Sequence, residues 1–448
     1  MKNQNEEILK ILKEFDELNF KISKEFGNIN LLSISIVELS KYIASALLNS
    51  GDTINQKTKF PFCNDNYLAK DIKYYSDKEF HNNRINLFKN KMLSIPSFFS
   101  NSSFRVHSII FSNFLKELNK KKLFTKKIYF TKAYLDNLSH QSTLIYKFLE
   151  KFKSKQKIKN NYFSENFLEH INSFFSQKKP LLDNSKFLFI GTNSNIENRI
   201  MSANYLLNNR KVISFNHANY STLVYGEPLQ EIGEYSFCNY YVDCGNLKFK
   251  KKYFKSDYFH PKILSCNFQE KFNFDKKKDG KIFYLTDSFH GALRHGPWRD
   301  MSDKDYFKFQ KKILSFSKGI KIKQHPKQIT QNISKYYKHS THDIIFGKLD
   351  DYLDNNNIFI IDRLSQAFFS VANSKSKIIF LDLGIRKIKK DVLKLLKKRT
   401  IYKNIISKKI SKLSFLKLLN KEKKFNNDIV KKCVYNKKSI KNIITQLF

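Results

Sequence analysis

The residues best suited to chemistry gather between Asp287 and Asp303, in the stretch DSFHGALRHGPWRDMSD. It holds the only tryptophan of the chain, Trp298, with two of twelve glycines and two of eleven histidines. Arg294 and Arg299 offer the planar fork that grips phosphate or carboxylate through paired hydrogen bonds. Gly291 and Gly296 permit close approach of a ligand to the backbone, and His290 or His295 can donate to a leaving oxygen. Trp298 and Pro297 fit better as a rigid turn that plugs a core. Arginine is informative here because only nine of the 82 basic residues are arginines. Where lysine would serve as a surface charge, lysine is used.

Three further stretches carry donors or acids. In KQHPKQ, His325 ends an apolar run and Pro326 stops it. In IIDRLSQAFFSVANS an apolar run ends at Asp362 and a helix opens near Ser365, so its N-terminal amides can hold a phosphate; Ser365 or Asp362 serves equally as a plain N-cap. GTNSN contributes Thr192, Asn193 and Asn195 to a cleft loop, and FNHANYSTLVYGEPLQEIGEY contributes His217, Glu227, Glu231 and Glu234. Glu227 or His217 is a candidate general base toward an acceptor hydroxyl, whereas Glu231 reads as an ordinary solvated acid.

Such groups act together only if an architecture brings them to one place. Residues 1 to about 180 read as mostly helical, from the apolar spacing in EEILKILKEFDEL, FSNFLKELNKKKLF and TLIYKFLEKFKSK, with KKIYFT as the clearest strand. KFLFIGTNSNIENRIMSANYLLNNRKVISFNHANYS is then strand, turn, helix and strand, which is a βαβ unit. The same grammar returns in KIFYLTDS, in the helix MSDKDYFKFQKKILSFS with Ser302 or Asp303 as N-cap, and in GIKIKQHP, NIFIID, RLSQAFFSVANS and KIIFLDLG. In parallel sheets ligands bind outside the carboxyl ends of the strands, where every candidate named above falls. A lysine-rich stretch from about 246 to 258 is the expected linker. It divides the chain into 1–250, helix-rich and then Rossmann-like, 251–400, a second Rossmann-like domain, and 401–448, a helical tail.

Composition narrows the function classes. The formal charge of +42 rises together with asparagine, isoleucine and phenylalanine, so most of it reads as solvated surface and no nucleic-acid partner is expected; the rival, a nucleic-acid-binding protein, predicts basic and aromatic residues on one sheet face. Five scattered cysteines show no metal-ligand spacing and fit reduced thiols in a cytoplasmic protein. The N-terminus carries acids inside a helical repeat, unlike a signal peptide, and Glu38 and Lys41 interrupt the most apolar run. Basic faces allow peripheral contact with an anionic inner membrane. P-loop, GxGxxG and GxSxG elements are missing from the sequence.

KQHP at 323–326, the strand–RLSQAFFSVANSKS–strand unit, and the blocks GTNSNIENRI, FNHANYS, YGEP and RHGPWRDM resemble bacterial surface-polysaccharide glycosyltransferases of the GT-B type. The resemblance is to the branch with Kdo transferases, sialyl- and polysialyltransferases and CDP-glycerol-type polymerases, and it spans roughly residues 185 to 400. It implies an α/β fold of two Rossmann-like parallel-sheet domains facing a cleft. It also implies that His325, Pro326 and Ser365 face the donor nucleotide. The chain departs from those families at His217-Ala218, where His-Gly is usual, at the missing acid-acid-glycine motif, and at Arg363 before the serine run.

The expectation is a metal-independent transferase that uses a nucleotide sugar as substrate, needs no cofactor and builds a surface polysaccharide or lipid-linked glycan. Arg294, Arg299, His325, Ser365 and His290 would neutralise the leaving phosphate. A CDP-polyol phosphotransferase needs the same cradle, and a non-catalytic relative of the same fold is the third alternative.

Overall fold

The computed structural model describes residues 4–48, 102–105, 109–121, 123, 125–128, 130–158, 161–180, 184–193, 196–216, 223–224, 233–245, 261–267, 280–286, 303–324, 343–345, 349–384, 387–405, 409–435 and 438–448. Two six-stranded sheets organise the chain, and every strand pair in both is parallel.

The first sheet contains β1 (Ser102–Arg105), β2 (Thr125–Lys127), β3 (Phe187–Ile190), β4 (Lys211–Phe215), β5 (Tyr240–Cys244) and β6 (Lys262–Cys266), in the order β2-β1-β3-β4-β5-β6. Its central strands are short apolar runs because both faces are covered. Helices α1 (Gln4–Phe26), α2 (Leu31–Leu48), α4 (Leu138–Lys155), α5 (Phe163–Asn172) and α6 (Ile196–Leu207) share one core through Phe15, Leu31, Ile145, Phe167 and Ile200; α3 (Ile109–Lys120) sets Phe114 on Phe189 and Phe215 from the other side. The KKIYFT strand is found as β2, shifted to Thr125–Lys127.

The second sheet contains β7 (Ile282–Leu285), β8 (Ile320–Lys323), β9 (Ile344–Ile345), β10 (Ile358–Ile361), β11 (Lys377–Asp382) and β12 (Ile401–Asn404). Read from β9, the order is β9-β8-β7-β10-β11-β12, the doubly wound 3-2-1-4-5-6 arrangement. Helices α7 (Asp303–Leu314), α8 (Gln366–Asn373), α9 (Lys390–Arg399) and α10 (Lys412–Asn420) cover it, with Phe415 and Tyr306 in the core on one face and Phe368 and Leu396 in the core on the other.

The two expected boundaries fall elsewhere. β6 pairs with β5, from Tyr240↔Lys262 to Cys244↔Cys266, so the chain does not leave the first sheet at 250 but after Cys266. β12 pairs with β11, so the second sheet continues beyond 400. The C-terminal helices α11 (Asp428–Cys433) and α12 (Ile440–Leu447) then return to the first domain. Ile443, Ile444, Ile429 and Cys433 join the core that holds Phe189 and Cys266, and the Phe448 ring lies 4.7 Å from that of Phe187. Local sequence shows the amphipathic helices of this tail but not which sheet they cover. Among the described residues, no helix is long and apolar enough to cross a membrane.

The return is tightest at Gly245. Its φ of 69° is left-handed, and a Cβ there would stand 2.2 Å from the Cys433 carbonyl oxygen. Gly27, at φ 80°, has open space in the same test. Gly245→Ala therefore costs at least about 2–3 kcal/mol in denaturant unfolding, against about 1 kcal/mol for Gly27→Ala, which bears backbone strain alone. Equal costs would show that the Gly245–Cys433 approach does not hold the C-terminal helices.

Candidate functional site

In the second sheet the winding direction reverses between β7 and β10, and in sheets wound this way ligands bind outside the carboxyl ends of the two strands at the reversal. Thr286 closes β7, and its N–H donates to the Lys323 carbonyl at the end of β8. Asp362 closes β10 and is buried. It accepts from Tyr284 Oη at 2.6 Å and from Tyr306 Oη at 2.9 Å, so β7, α7 and β10 are tied together at one carboxylate. Those bonds occupy Asp362, and Ser365 is the N-cap of α8: its Oγ accepts from the Phe368 N–H at 3.4 Å. Ser365 is only half-buried, with the first turn of the helix beside it.

Lys323 is buried beside the position where His325 follows, and burial pushes its ammonium pKa down, partly offset by Asp351. His290, Arg294, Arg299, His325 and Pro326 lie outside the described residues, as do Ser302, His217, Glu227 and Asn195. What the structure locates are their anchors. The segment with both arginines starts after Thr286 and ends at Asp303, and the His-Pro pair starts after Gln324.

In the first sheet, the order 2-1-3-4-5-6 places the reversal at β1 and β3, and Thr192 and Asn193 follow β3 directly. Thr192 Oγ1 donates to Glu234 Oε1 at 2.8 Å. Asn193 is fully buried and spent inside the fold: its Nδ2 donates to the Ser236 carbonyl at 2.6 Å, and its Oδ1 accepts from Ser202 Oγ at 3.0 Å. Arg199 on α6 donates to the Asn193 carbonyl at 2.8 Å, to the Ile34 carbonyl at 2.8 Å, and to Glu38 on α2.

Two acids follow at the same edge, Asp243 buried and Glu234 half-buried with its Oε2 inside the fold. Glu234 has its pKa pushed up to about 7, chiefly by burial and further by Asp243, with the Thr192 hydrogen bond acting the other way. Asp243 on β5 is pushed up to about 6 by burial, against the Asn216 amide at 2.6 Å, the Cys244 N–H at 2.8 Å and Lys389. The sequence reading passed over Asp243 and Asn216 and left Glu234 among several polar residues. An acid inside the apolar run YYVDC was the available signal, because a charged side chain is expelled from a buried strand unless something holds it.

Segments beyond the carboxyl ends of the two sheets meet. The Lys389 N–H, just beyond β11, donates to the Leu223 carbonyl at 3.0 Å, and Val224, beyond β4, bridges Ile388. Lys389 is the residue whose charge reaches Asp243, so the acids of the first domain sit beside the junction with the second. Among the described residues, no group of three or more His, Cys, Asp or Glu is placed to hold a metal ion.

The arginine signal has a structural answer where it can be followed. Arg399 is buried and donates to the carbonyls of Ala372, Ser374 and Ser376, closing the C-terminal end of α8. Arg210 lies over the Tyr205 ring and donates to the Ser185 carbonyl. The fork was needed, but for backbone carbonyls.

No family model matches the chain, and no curated protein matches it. Among solved structures it is similar to a "putative UDP-N-acetylglucosamine 2-epimerase" from Listeria monocytogenes, with 11% identity, a TM-score of 0.37, and coverage of 77% of this chain and 94% of that one. A likeness this loose adds nothing to what the two sheets show.

Because the folded-state pKa values of Glu234 and Asp243 lie above those of the unfolded chain, their contribution to stability is full at low pH and is lost as pH rises from about 4.5 through 7. Glu234→Gln keeps the shape and removes one charge, so relative to wild type it gains stability between pH 5 and pH 8, read from melts at both. A constant difference would mean that Glu234 is not desolvated. Arg199→Met leaves Glu38 and two carbonyls without their donor and costs about 3–5 kcal/mol in urea unfolding; a cost under about 1 kcal/mol would remove Arg199 from the scaffold.

Proposed function

We propose that the protein is a GT-B glycosyltransferase that moves a sugar from a nucleotide-activated donor to a surface polysaccharide or lipid-linked glycan at the cytoplasmic face of the inner membrane. The observation that carries the reading is the meeting of two all-parallel sheets through the segments leaving their carboxyl ends, the second wound 3-2-1-4-5-6. Such an arrangement puts two ligand-binding edges on one cleft, one for each substrate.

The donor belongs to the second domain. Its nucleotide phosphates would meet the N-terminal turn of α8 at Ser365, where the helix dipole favours an anion. Arg294, Arg299 and His290, on the segment that leaves β7, and His325 with Pro326, on the segment that leaves β8, would complete the cradle. Their task is to stabilise the negative charge that develops on the leaving phosphate, which cations and helix amides can do without a metal. The acceptor would belong to the first domain, with Thr192, Asn193 and Asn195 proposed for the acceptor loop and a carboxylate or imidazole of the 217–234 segment, His217 and Glu227 among them, proposed to serve the acceptor hydroxyl. The arginines Arg199 and Arg399 are buried, which does not favour the nucleic-acid reading.

The test is thermal stabilisation of the purified protein by CMP, CDP, UDP and GDP and by their sugars. One nucleotide class at about 100 times its dissociation constant stabilises by about 2.7 kcal/mol, and Arg294→Ala, His325→Ala and Ser365→Ala each weaken its binding about tenfold or more. No shift with any nucleotide, together with a shift by DNA, would overturn the proposal. A phosphodiester in the product would replace sugar transfer by polyol-phosphate transfer on the same cradle.

A further inference from the structure

Glu234 joins three features at the carboxyl edge of the first sheet. Its Oε1 is fixed by Thr192 at 2.8 Å. Its Oε2 is buried with no hydrogen-bond partner among the described residues. Its neighbour Asp243 is reached by the charge of Lys389, which touches Leu223 across the domain junction. Buried carboxyl oxygens are nearly always satisfied, and one with no partner among the described residues calls for an explanation. Two more buried polar atoms, Ser214 Oγ on β4 and Ser236 Oγ, lack partners among the described residues in the same region. The segment also bears strain: Phe237, three residues on, holds φ 52°, a left-handed value that a bulky residue adopts only when its surroundings enforce it.

We propose that Glu234 accepts the proton of the acceptor hydroxyl during sugar transfer, and that Thr192 is the positioning residue that aims its carboxyl group. The assignment deepens the glycosyltransferase reading and rests on it. As the acceptor oxygen bonds to the anomeric carbon, its proton passes to the Glu234 carboxylate. The bond from the anomeric carbon to the phosphate oxygen breaks, and its electron pair stays on the nucleotide phosphate. Glu234, now a carboxylic acid, returns the proton to water.

The surroundings suit this exchange. Burial keeps the charged and neutral forms close in free energy near neutral pH, where a base is most effective. The groups that face it are Asp243 and Tyr241 from β5 and Cys238 from its own segment. Burial pushes the Tyr241 hydroxyl and the Cys238 thiol well up, so both stay neutral across the working range and Asp243 is the neighbour that titrates. Asp243 Oδ1 is engaged by Asn216 and the Cys244 N–H, which fits it to tune Glu234 rather than to act itself.

The experiment measures nucleotide release from CMP-, CDP-, UDP- and GDP-linked sugars between pH 5 and pH 9, alongside nucleotide binding, for wild type, Glu234→Gln, Glu234→Asp, Thr192→Val and Asp243→Asn. Glu234→Gln should bind nucleotide within about twofold of wild type, lose about 10²-fold or more in rate, and lose the rise of rate with pH centred near 7. Glu234→Asp should restore part of the rate, Thr192→Val should move the midpoint upward, and Asp243→Asn should move it downward. A wild-type protein that binds and turns over a nucleotide sugar while Glu234→Gln keeps its rate and pH profile would overturn the assignment and leave the glycosyltransferase reading standing. A wild-type protein that binds none of the nucleotides would overturn both.

Discussion

The buried guanidinium of Arg199 is the constraint around which the first domain is arranged. It has no exposed surface, and its donors go to Glu38 and the Ile34 carbonyl on α2 and to the Asn193 carbonyl after β3. A buried cation is tolerable only if its bonds are all made, so α2, α6 and the carboxyl end of β3 must keep one relative position. The constraint passes onward through Asn193 to Ser236 and through Thr192 to Glu234. The N-terminal helices thus act at a distance on the candidate base: they hold the strand end from which its hydrogen-bond donor projects.

The second domain uses a different device for the same purpose. A buried carboxylate, Asp362, gathers two tyrosine hydroxyls from β7 and α7 at the point where the sheet reverses. Ser365, three residues on, caps α8, so the first turn of that helix follows the carboxyl end of β10. Arg399 closes the other end of the same helix by binding three carbonyls, so both termini of α8 are satisfied by side chains. A helix held in this way keeps its dipole pointed at one place.

The domains are joined by more than a linker. A single apolar core runs from Phe189 and Cys266 in the first sheet to Phe283 and Phe359 in the second, with the returning helices α11 and α12 inside it. This core is aliphatic and aromatic surface, apart from the cysteines, buried where the domains meet. Burial of that kind is the main favourable term in docking one domain on another. It explains why the C-terminal segment leaves the second domain and packs on the first.

Much of the second sheet was legible in the sequence. IFYL, IKIK, IFII and KIIFLD are nearly continuous apolar runs, the pattern of strands buried on both faces, and each is followed by a turn and an amphipathic helix. The helix of Ser365 was legible for the same reason, since a hydroxyl before an apolar helix has few other uses. SSFR and KILSC were passed over because strands of four or five residues with polar members have no periodicity to read. The scarcity of arginine marked real constraints at Arg199 and Arg399, but their partners are backbone carbonyls and, for Arg199, a glutamate 161 residues away, pairings that a sequence does not display. Local pattern therefore determined most of the element types of the second sheet. Which acid is buried and which helices cover which sheet were decided only in the tertiary structure, because desolvation and long-range packing depend on neighbours far away in the chain, as Glu38 is from Arg199 and Cys433 from Gly245.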